Sequence, residues 1–160
     1  MSPNPNAAPG SPFQYAAPDG SATTMSAVLG EIVWLMSQSQ IHKSFFISDL
    51  EWPAAQAANE NQPMTPVILK QFRLFYDKEK PIGVVFWGTV SDEVAKRLVE
   101  GTSKLRPQDW KSGEHLWVVE TIAPFGGAEE MVNDLKAAVF PDREIRMMVV
   151  KDGVRDVRAV

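Results

Sequence analysis

The sequence predicts an α+β (α/β) domain in which a mixed, largely antiparallel sheet is flanked by helices. Three observations support this fold class. Apolar residues recur at helical spacing early in the chain, two pairs of strand-like runs are each joined by a short polar turn, and capped helices alternate with the later strands. At 160 residues, with 44% apolar and 22% charged residues, the chain is expected to form one domain with a substantial core.

Residues 1–22 are expected to form a disordered, Pro-rich arm, and residues 23–160 the folded domain. Five prolines lie among Asn, Ala, Ser and Gly in the arm, which leaves too little apolar surface to offset the entropy of ordering. The alternative for this segment is a docking peptide around Phe13 and Tyr15. The arm has neither a basic start nor a long apolar run, so it does not have the pattern of a signal peptide.

The first helix is predicted over residues 24–38. Seven apolar residues from Met25 to Met36 recur at helical spacing there, and Thr23 or Thr24 can cap the start. A short helix around 52–59 and a loop at 61–66 are predicted to follow. The large Trp34 within the first helix is interpreted as a core residue.

An antiparallel hairpin is predicted from strands at 67–76 and 82–88, joined by a polar turn at 77–81. Gly83, inside the second strand, indicates a bulge or a close backbone approach. Ser91 is predicted to cap a helix that runs to about Val99, because acidic residues follow it and suit the first turn of a helix.

The central strand is predicted at 116–122 and breaks at the Pro-Phe-Gly corner, 124–126, before a helix at 129–139. Strict alternation along this strand places Glu120 on the same face as Val118 and Ile122. A second hairpin is predicted from strands at 144–150 and 154–160, with the turn at 151–153.

Composition excludes several kinds of function. A net charge of −4 argues against a general nucleic-acid binder. Without cysteine there is no disulfide framework, no thiolate nucleophile and no cysteine metal site, and two histidines leave little room for a zinc centre. No run approaches the ~20 apolar residues that span a membrane, so a cytoplasmic protein without an integral membrane segment is expected.

Two ionisable residues are candidates for chemistry. His42 follows the polar end of the first helix, outside its apolar stripe, and histidine changes charge near neutral pH. Glu120 lies on an apolar strand face, where an unpaired carboxylate costs several kcal/mol. A histidine partner would satisfy Glu120 and would itself be oriented as a general base. The alternative is a sheet-edge carboxylate that is bonded to a backbone amide or to an arginine.

Four motifs follow one another along the chain. They are Leu-Gly-x-x-x-Trp-Leu at 29–35, Ser-x-x-His at 39–42, Asp-Trp-x-Ser-Gly at 109–113 and Ile-Ala-Pro-Phe-Gly at 122–126. With these motifs the chain, from about residue 26 to 150, resembles the RTX toxin-activating lysine acyltransferases. Those enzymes transfer a fatty acyl chain from acyl carrier protein to internal lysines of a pore-forming protoxin, which the transfer activates.

The resemblance implies a GNAT-like fold and a set of site residues. His42 would be the base that deprotonates the lysine, and Glu120, where the family usually has aspartate, would hold the imidazole. A covalent acyl-histidine intermediate is left open. Substrate-binding roles are implied for Ser39, Gly113, Phe125 and Gly126. His115, which the family does not keep, is interpreted as an exposed residue at the start of a strand.

The resemblance also implies partners. Acyl carrier protein would be the acyl donor and the RTX protoxin the acceptor. The reaction would need no metal and no other cofactor. The enzyme would form a homodimer. Basic residues between Lys70 and Arg106 would dock the acidic carrier protein. A non-catalytic acyl-chain or toxin-binding protein of the same fold is the main alternative. An acetyl-CoA-dependent GNAT enzyme is disfavoured because the Arg/Gln-x-x-Gly-x-Gly phosphate loop is missing.

Overall fold

The computed structural model describes residues 14–16, 22–39, 69–100 and 105–160. His42, the predicted helix at 52–59 and the predicted loop at 61–66 lie outside these residues. The described strands are β1 (Gln14–Ala16), β2 (Ala22–Thr24), β3 (Phe72–Asp77), β4 (Lys80–Val90), β5 (His115–Ile122), β6 (Arg146–Lys151) and β7 (Val154–Ala159). The described helices are α1 (Met25–Gln38), α2 (Asp92–Val99) and α3 (Ala128–Ala138), with a 3₁₀ turn at Pro107–Asp109.

Five of the described strands form the main sheet in the order β3-β4-β5-β6-β7. All neighbours are antiparallel except β5 and β6, which run parallel because α3 crosses between them. The α+β fold class with a mixed, largely antiparallel sheet is therefore confirmed.

Helix α1 begins where its sequence predicts a cap. The Thr24 hydroxyl accepts a hydrogen bond from Ala27 N at 3.2 Å, which satisfies one of the amides left open at a helix start. The apolar stripe that includes Ile32 and Leu35 is fully buried against β3, β4 and β5. At its edge Tyr76 of β3 donates a hydrogen bond to Glu31 at 2.5 Å. Burial is the main cause that raises the pKa of Tyr76 above its usual value, and this hydrogen bond is the second cause.

The helices cover both faces of the sheet. Helices α1 and α2 pack on one face, where Leu98 of α2 lies against Trp117 of β5. Helix α3 packs on the other face, where Leu135 is fully buried against Val85 and Trp87 of β4. Ser91 caps α2 as predicted, since its hydroxyl accepts from Val94 N at 3.3 Å.

The first hairpin is present with different bounds, since β4 runs over Lys80–Val90 and not 82–88, and the predicted turn at 77–81 shortens to 78–79. Strand β3 begins at Phe72 because Lys70 adopts a left-handed φ of 57° in the turn before it, which interrupts the extended backbone. The bulge that Gly83 indicated is present, since Phe75 pairs with Gly83 but Tyr76 pairs with Pro81. A Cβ on Gly83 would also lie 2.4 Å from the Met131 sulfur, so β4 and α3 approach closely here.

A second bulge corrects the predicted face of Glu120. Phe86 of β4 pairs with Glu120 while Trp87 pairs with Val118, so Val119 is an extra residue in β5. The extra residue reverses the alternation, because residues on either side of a bulge no longer keep the period of two. Glu120 therefore shares the α1 face with Phe86 and Ile122, and Val118 packs on the α3 face. The prediction that Val118 and Glu120 share a face was wrong.

The arm also contains structure that its composition did not predict. Residues 14–16 and Ala22 were assigned to the disordered arm, yet β1 and β2 form an antiparallel pair with Tyr15 opposite Thr23. Backbone hydrogen bonds between the two strands order them, and neither strand contains proline. Among the described residues, no helix is long and apolar enough to cross a membrane.

Candidate functional site

Strands β5 and β6 separate beside Glu120. Their described register consists of two pairs, Trp117 with Arg146 and Val118 with Met147, and the bulge in β5 follows immediately. Glu120 is half-buried at this separation, and its Oε1 accepts a hydrogen bond from Thr121 N at 3.3 Å. A carboxylate is thus held at a point where the sheet is open between two parallel strands.

A cavity of about 280 Å³ occupies the separation on the α1 and α2 face. Glu120 and Arg155 are its charged lining residues, and apolar side chains supply most of the remaining wall. The described lining residues are Leu98, Trp117, Val118, Val119, Glu120, Thr121, Met147, Met148 and Arg155. A concave site with a few polar groups on apolar walls is typical of small-molecule binding sites.

Ser39 is the last described residue before His42. It is the C-cap of α1, its amide donates to Met36 O at 3.1 Å, and it is only 8% exposed. Helix α1 lies on the face of the sheet that holds Glu120, so the described stretch that precedes His42 belongs to that face. His42 itself lies outside the described residues, and the predicted pair with Glu120 stays a prediction.

Asp109, from the third motif, organises a structural cluster. Its carboxylate is 3% exposed and accepts three hydrogen bonds from Arg106, including one from the backbone amide at 2.9 Å. Arg97 of α2 approaches it at 3.0 Å as an ion pair. Burial raises the pKa of Asp109, but the bonds from Arg106 and the Arg97 charge outweigh burial and hold the pKa below its usual value.

The rest of the third motif fastens this segment to β4 and α2. Trp110 is buried in the α1 core cluster, and its carbonyl accepts from Thr89 N at 3.0 Å and from the Gln71 side chain at 3.2 Å. Gly113 donates to Thr89 O at 3.1 Å, and a Cβ there would lie 2.5 Å from Val90 O. Gly113 therefore has a clear packing role in the fold, whatever its part in binding.

The fourth motif ends in an exposed aromatic cluster. Phe125 is 50% exposed and lies 5.9 Å from the ring of Trp34, between ring centroids. The Lys80 amine lies 4.3 Å from the Phe125 centroid, which is cation–π geometry. Gly126, with a φ of +89°, makes the left-handed turn that glycine favours. Trp34, interpreted as a core residue, is 39% exposed because its neighbour Leu35 occupies the buried face of α1.

The second histidine belongs to a different surface. His115 begins β5 as predicted, and its Nε2 contacts Asp92, a residue whose side chain is 96% exposed. No group of three or more His, Cys, Asp or Glu side chains that could hold a metal ion occurs within the described ranges.

The three arginines of the predicted docking patch each have an acidic partner. Arg73 pairs with Asp134 at 3.1 Å, and Arg97 and Arg106 both contact Asp109. The arginines of the predicted patch are therefore engaged in contacts within the fold, and docking of the carrier protein by the patch stays a prediction.

Comparison with known proteins identifies the family. Residues 21–160 match the model of the RTX toxin acyltransferase family. The chain belongs to this family. It is 32% identical to the lysine-acyltransferase RtxC of Vibrio cholerae, over 71% of this chain and 69% of that protein. It is also 34% identical to an uncharacterised protein of Synechocystis, over 82% and 85% of the two chains.

A third relative is a protein-lysine myristoyltransferase of Kingella kingae, 26% identical over 78% of this chain and 69% of that protein. Family membership makes this chain an acyltransferase, as the four motifs predicted. All four motifs fall within the matched residues.

Sequence reasoning missed two polar groups at the cavity. Trp117 is 2% exposed and its Nε1 is buried, and the Thr121 hydroxyl is also buried. Neither atom has a hydrogen-bond partner among the described residues. Tryptophan and threonine are common residues in strands, so nothing in the sequence marked them as cavity residues. They line a cavity because β5 and β6 separate beside them.

Proposed function

We propose that this acyltransferase moves a fatty acyl chain from acyl carrier protein to an internal lysine of an RTX protoxin, and so activates the toxin. The observation that carries the proposal is the position of Glu120. It lines a cavity at the open separation of β5 and β6, on the sheet face covered by α1, whose C-cap Ser39 lies three residues before His42. The names of the relatives, which include lysine-acyltransferases and a lysine myristoyltransferase, support the acceptor and the acyl group.

In the proposed reaction His42 is the general base. A lysine amine has a pKa near 10.4 and is protonated at neutral pH, so it must lose a proton before it can attack. The neutral amine attacks the thioester carbonyl, the C–N bond forms, and the C–S bond breaks. His42 releases this first proton to solvent, takes a second proton from the attacking nitrogen as that nitrogen becomes cationic, and passes it to the departing thiolate, which leaves as the thiol of the carrier arm.

Glu120 would orient the imidazole in this scheme. Its carboxylate would accept a hydrogen bond from one ring N–H, which leaves the other nitrogen facing the amine and stabilises the imidazolium that forms. Glutamate is one methylene longer than the aspartate usual in the family. The bulge at Val119 sets the backbone position from which this longer side chain extends.

The remaining parts of the proposal follow from the same chemistry. The donor is the acyl-charged carrier protein, so no metal and no further cofactor takes part. The transfer takes place in the cytoplasm. Lys80, beside the exposed rings of Trp34 and Phe125, is placed where a protein partner could contact it.

The second candidate is a non-catalytic acyl-chain or toxin-binding protein of the same fold. Glu120 is the residue that favours it, since the resemblance implies aspartate at this position. A binder would retain the cavity but would transfer nothing.

One experiment tests both candidates. The protein is incubated with carrier protein that bears a defined fatty acid and with a protoxin fragment, and intact-mass spectrometry detects the acyl increment. The enzyme acylates a lysine, and His42→Ala abolishes the reaction. Transfer that survives in His42→Ala would exclude His42 as the base, and binding of the carrier protein without transfer would favour the non-catalytic candidate.

A further inference from the structure

The separation of β5 from β6 has a second cavity, on the opposite face of the sheet. This cavity has a volume of about 190 Å³ and lies between α3 and the β6–β7 hairpin. Among the residues that the structure describes, its lining consists of Thr121, Ala128, Glu129, Val132, Asn133, Met147, Val149, Arg158 and Val160. Helix α3 supplies one wall and the hairpin the other.

The two cavities share two lining residues at the separation. Thr121 of β5 and Met147 of β6 line both of them. No described ladder pair joins the two strands beyond Val118 and Met147, so the backbone does not close the gap at this level. We infer that a narrow ligand can pass through the sheet between Thr121 and Met147.

The two ends of this passage differ in chemistry. The first cavity has Glu120 and Arg155 in its lining, whereas the surface that lines the second is almost wholly apolar. The charged residues of the second cavity pair with each other, since Arg158 Nη2 contacts Glu129 Oε1 at 2.8 Å. Because an apolar cavity favours aliphatic groups over polar ones, its ligand should be a hydrocarbon chain.

We propose that the cavity between α3 and the β6–β7 hairpin holds the distal part of the fatty acyl chain and determines which chain length the enzyme prefers. The proposal rests on the proposed function, which puts the thioester beside Glu120. The chain then passes between Thr121 and Met147 and ends against Val132 and Val149. Every buried methylene contributes about a fourfold gain in affinity until the chain reaches the end of the cavity.

Val149 allows a matched test. It is half-buried on β6 and lines the cavity, whereas the next residue, Val150, projects from the other face and is 69% exposed. Val149→Phe would shorten the cavity and Val149→Ala would lengthen it. Val150→Phe makes the same change of size on the same strand without entering the cavity, so it is the control.

The affinity of each variant is measured by calorimetry with pantetheine thioethers that carry alkyl chains of graded length and cannot react. In the wild type affinity rises with each methylene to a plateau. The plateau moves to chains shorter by two or more carbons in Val149→Phe, moves to longer chains in Val149→Ala, and stays in place in Val150→Phe. A plateau that is the same in all folded variants, or affinity that does not depend on chain length, would overturn the proposal.

Acyl transfer from charged carrier protein is measured on the same variants. If the wild type transfers acyl chains and Val149→Phe has the same chain-length profile, the role of the cavity would be contradicted and the proposed function would remain. If the wild type transfers no acyl chain but the affinity plateau still moves as expected in the Val149 variants, the proposed function would be contradicted and the chain cavity would be supported.

Discussion

Glu120 is the cross-strand partner of Phe86, and both lie on the face of the sheet that α1 covers. This relationship exists because Val119 is an extra residue in β5, which turns Glu120 away from Val118 and toward the α1 side. The same bulge lies where β5 parts from β6 and the cavity opens. One irregularity therefore sets both the direction of the carboxylate and the access to it.

The Asp109 cluster should contribute strongly to stability. Asp109→Asn removes a buried charge that pairs with two arginines. We expect the free energy of unfolding, measured by urea denaturation, to fall by about 2–4 kcal/mol. Asp134→Asn is the control, because its ion pair with Arg73 is half-exposed and should contribute less than about 1 kcal/mol. Equal effects of the two changes would contradict the structural role of Asp109.

The contribution of Asp109 should also depend on pH. Since its pKa is lowered in the folded protein, its stabilisation is fully present above the ordinary aspartate pKa and is lost as pH falls through the lowered value. The difference in unfolding free energy between wild type and Asp109→Asn should be constant above about pH 5 and should shrink below about pH 4. A difference that grows on acidification would have the wrong sign for this cluster.

Two glycines of the motifs should respond to alanine in opposite directions. Gly113→Ala places a Cβ 2.5 Å from Val90 O, a backbone atom, and should destabilise the protein by more than about 2 kcal/mol. At Gly30, within α1, a Cβ meets no atom within 4 Å, so Gly30→Ala should stabilise by about 0.5–1 kcal/mol. Thermal denaturation of both variants measures this, and a shared sign would contradict the packing around Gly113.

Phe125 should affect binding more than stability. Its ring is 50% exposed, so Phe125→Ala should lower the melting temperature by less than about 4 °C. If the ring contacts the protein acceptor, the KM for the protoxin fragment should rise about tenfold, as for loss of one aromatic contact at an interface. Val154→Ala, an exposed apolar change on β7 at 65% exposure, is the control. An unchanged KM in Phe125→Ala would remove Phe125 from the binding surface.

Much of the fold could be predicted from local chemistry. Thr24 and Ser91 cap their helices as their side chains predict, and Gly83 correctly indicated a bulge. The bulge at Val119 could not be predicted, because residues 116–122 contain neither glycine nor proline and so give no local sign of a bulge. The short β1–β2 pair was missed because its ordering comes from pairing across the chain and not from composition.

The candidate site was predictable in part. Glu120 became a candidate through the cost of a carboxylate in an apolar strand, and its part in the reaction stays a prediction; in the structure it lines a cavity beside β6. The third motif carries an additional role that its spacing could not reveal, since Asp109 and Gly113 hold β4, α2 and the preceding turn together. Thr121 and Trp117 gain their positions only from the separation of two strands that lie far apart in sequence.

A double-mutant cycle tests the central claim, that His42 and Glu120 act as one unit. We would measure kcat/KM for lysine acylation in wild type, His42→Ala, Glu120→Gln and the double variant, with folding checked by circular dichroism. Each single change should lower kcat/KM by at least about a hundredfold, and the double variant should be no slower than His42→Ala. Losses that multiply in the double variant, or full activity in Glu120→Gln, would contradict the pairing.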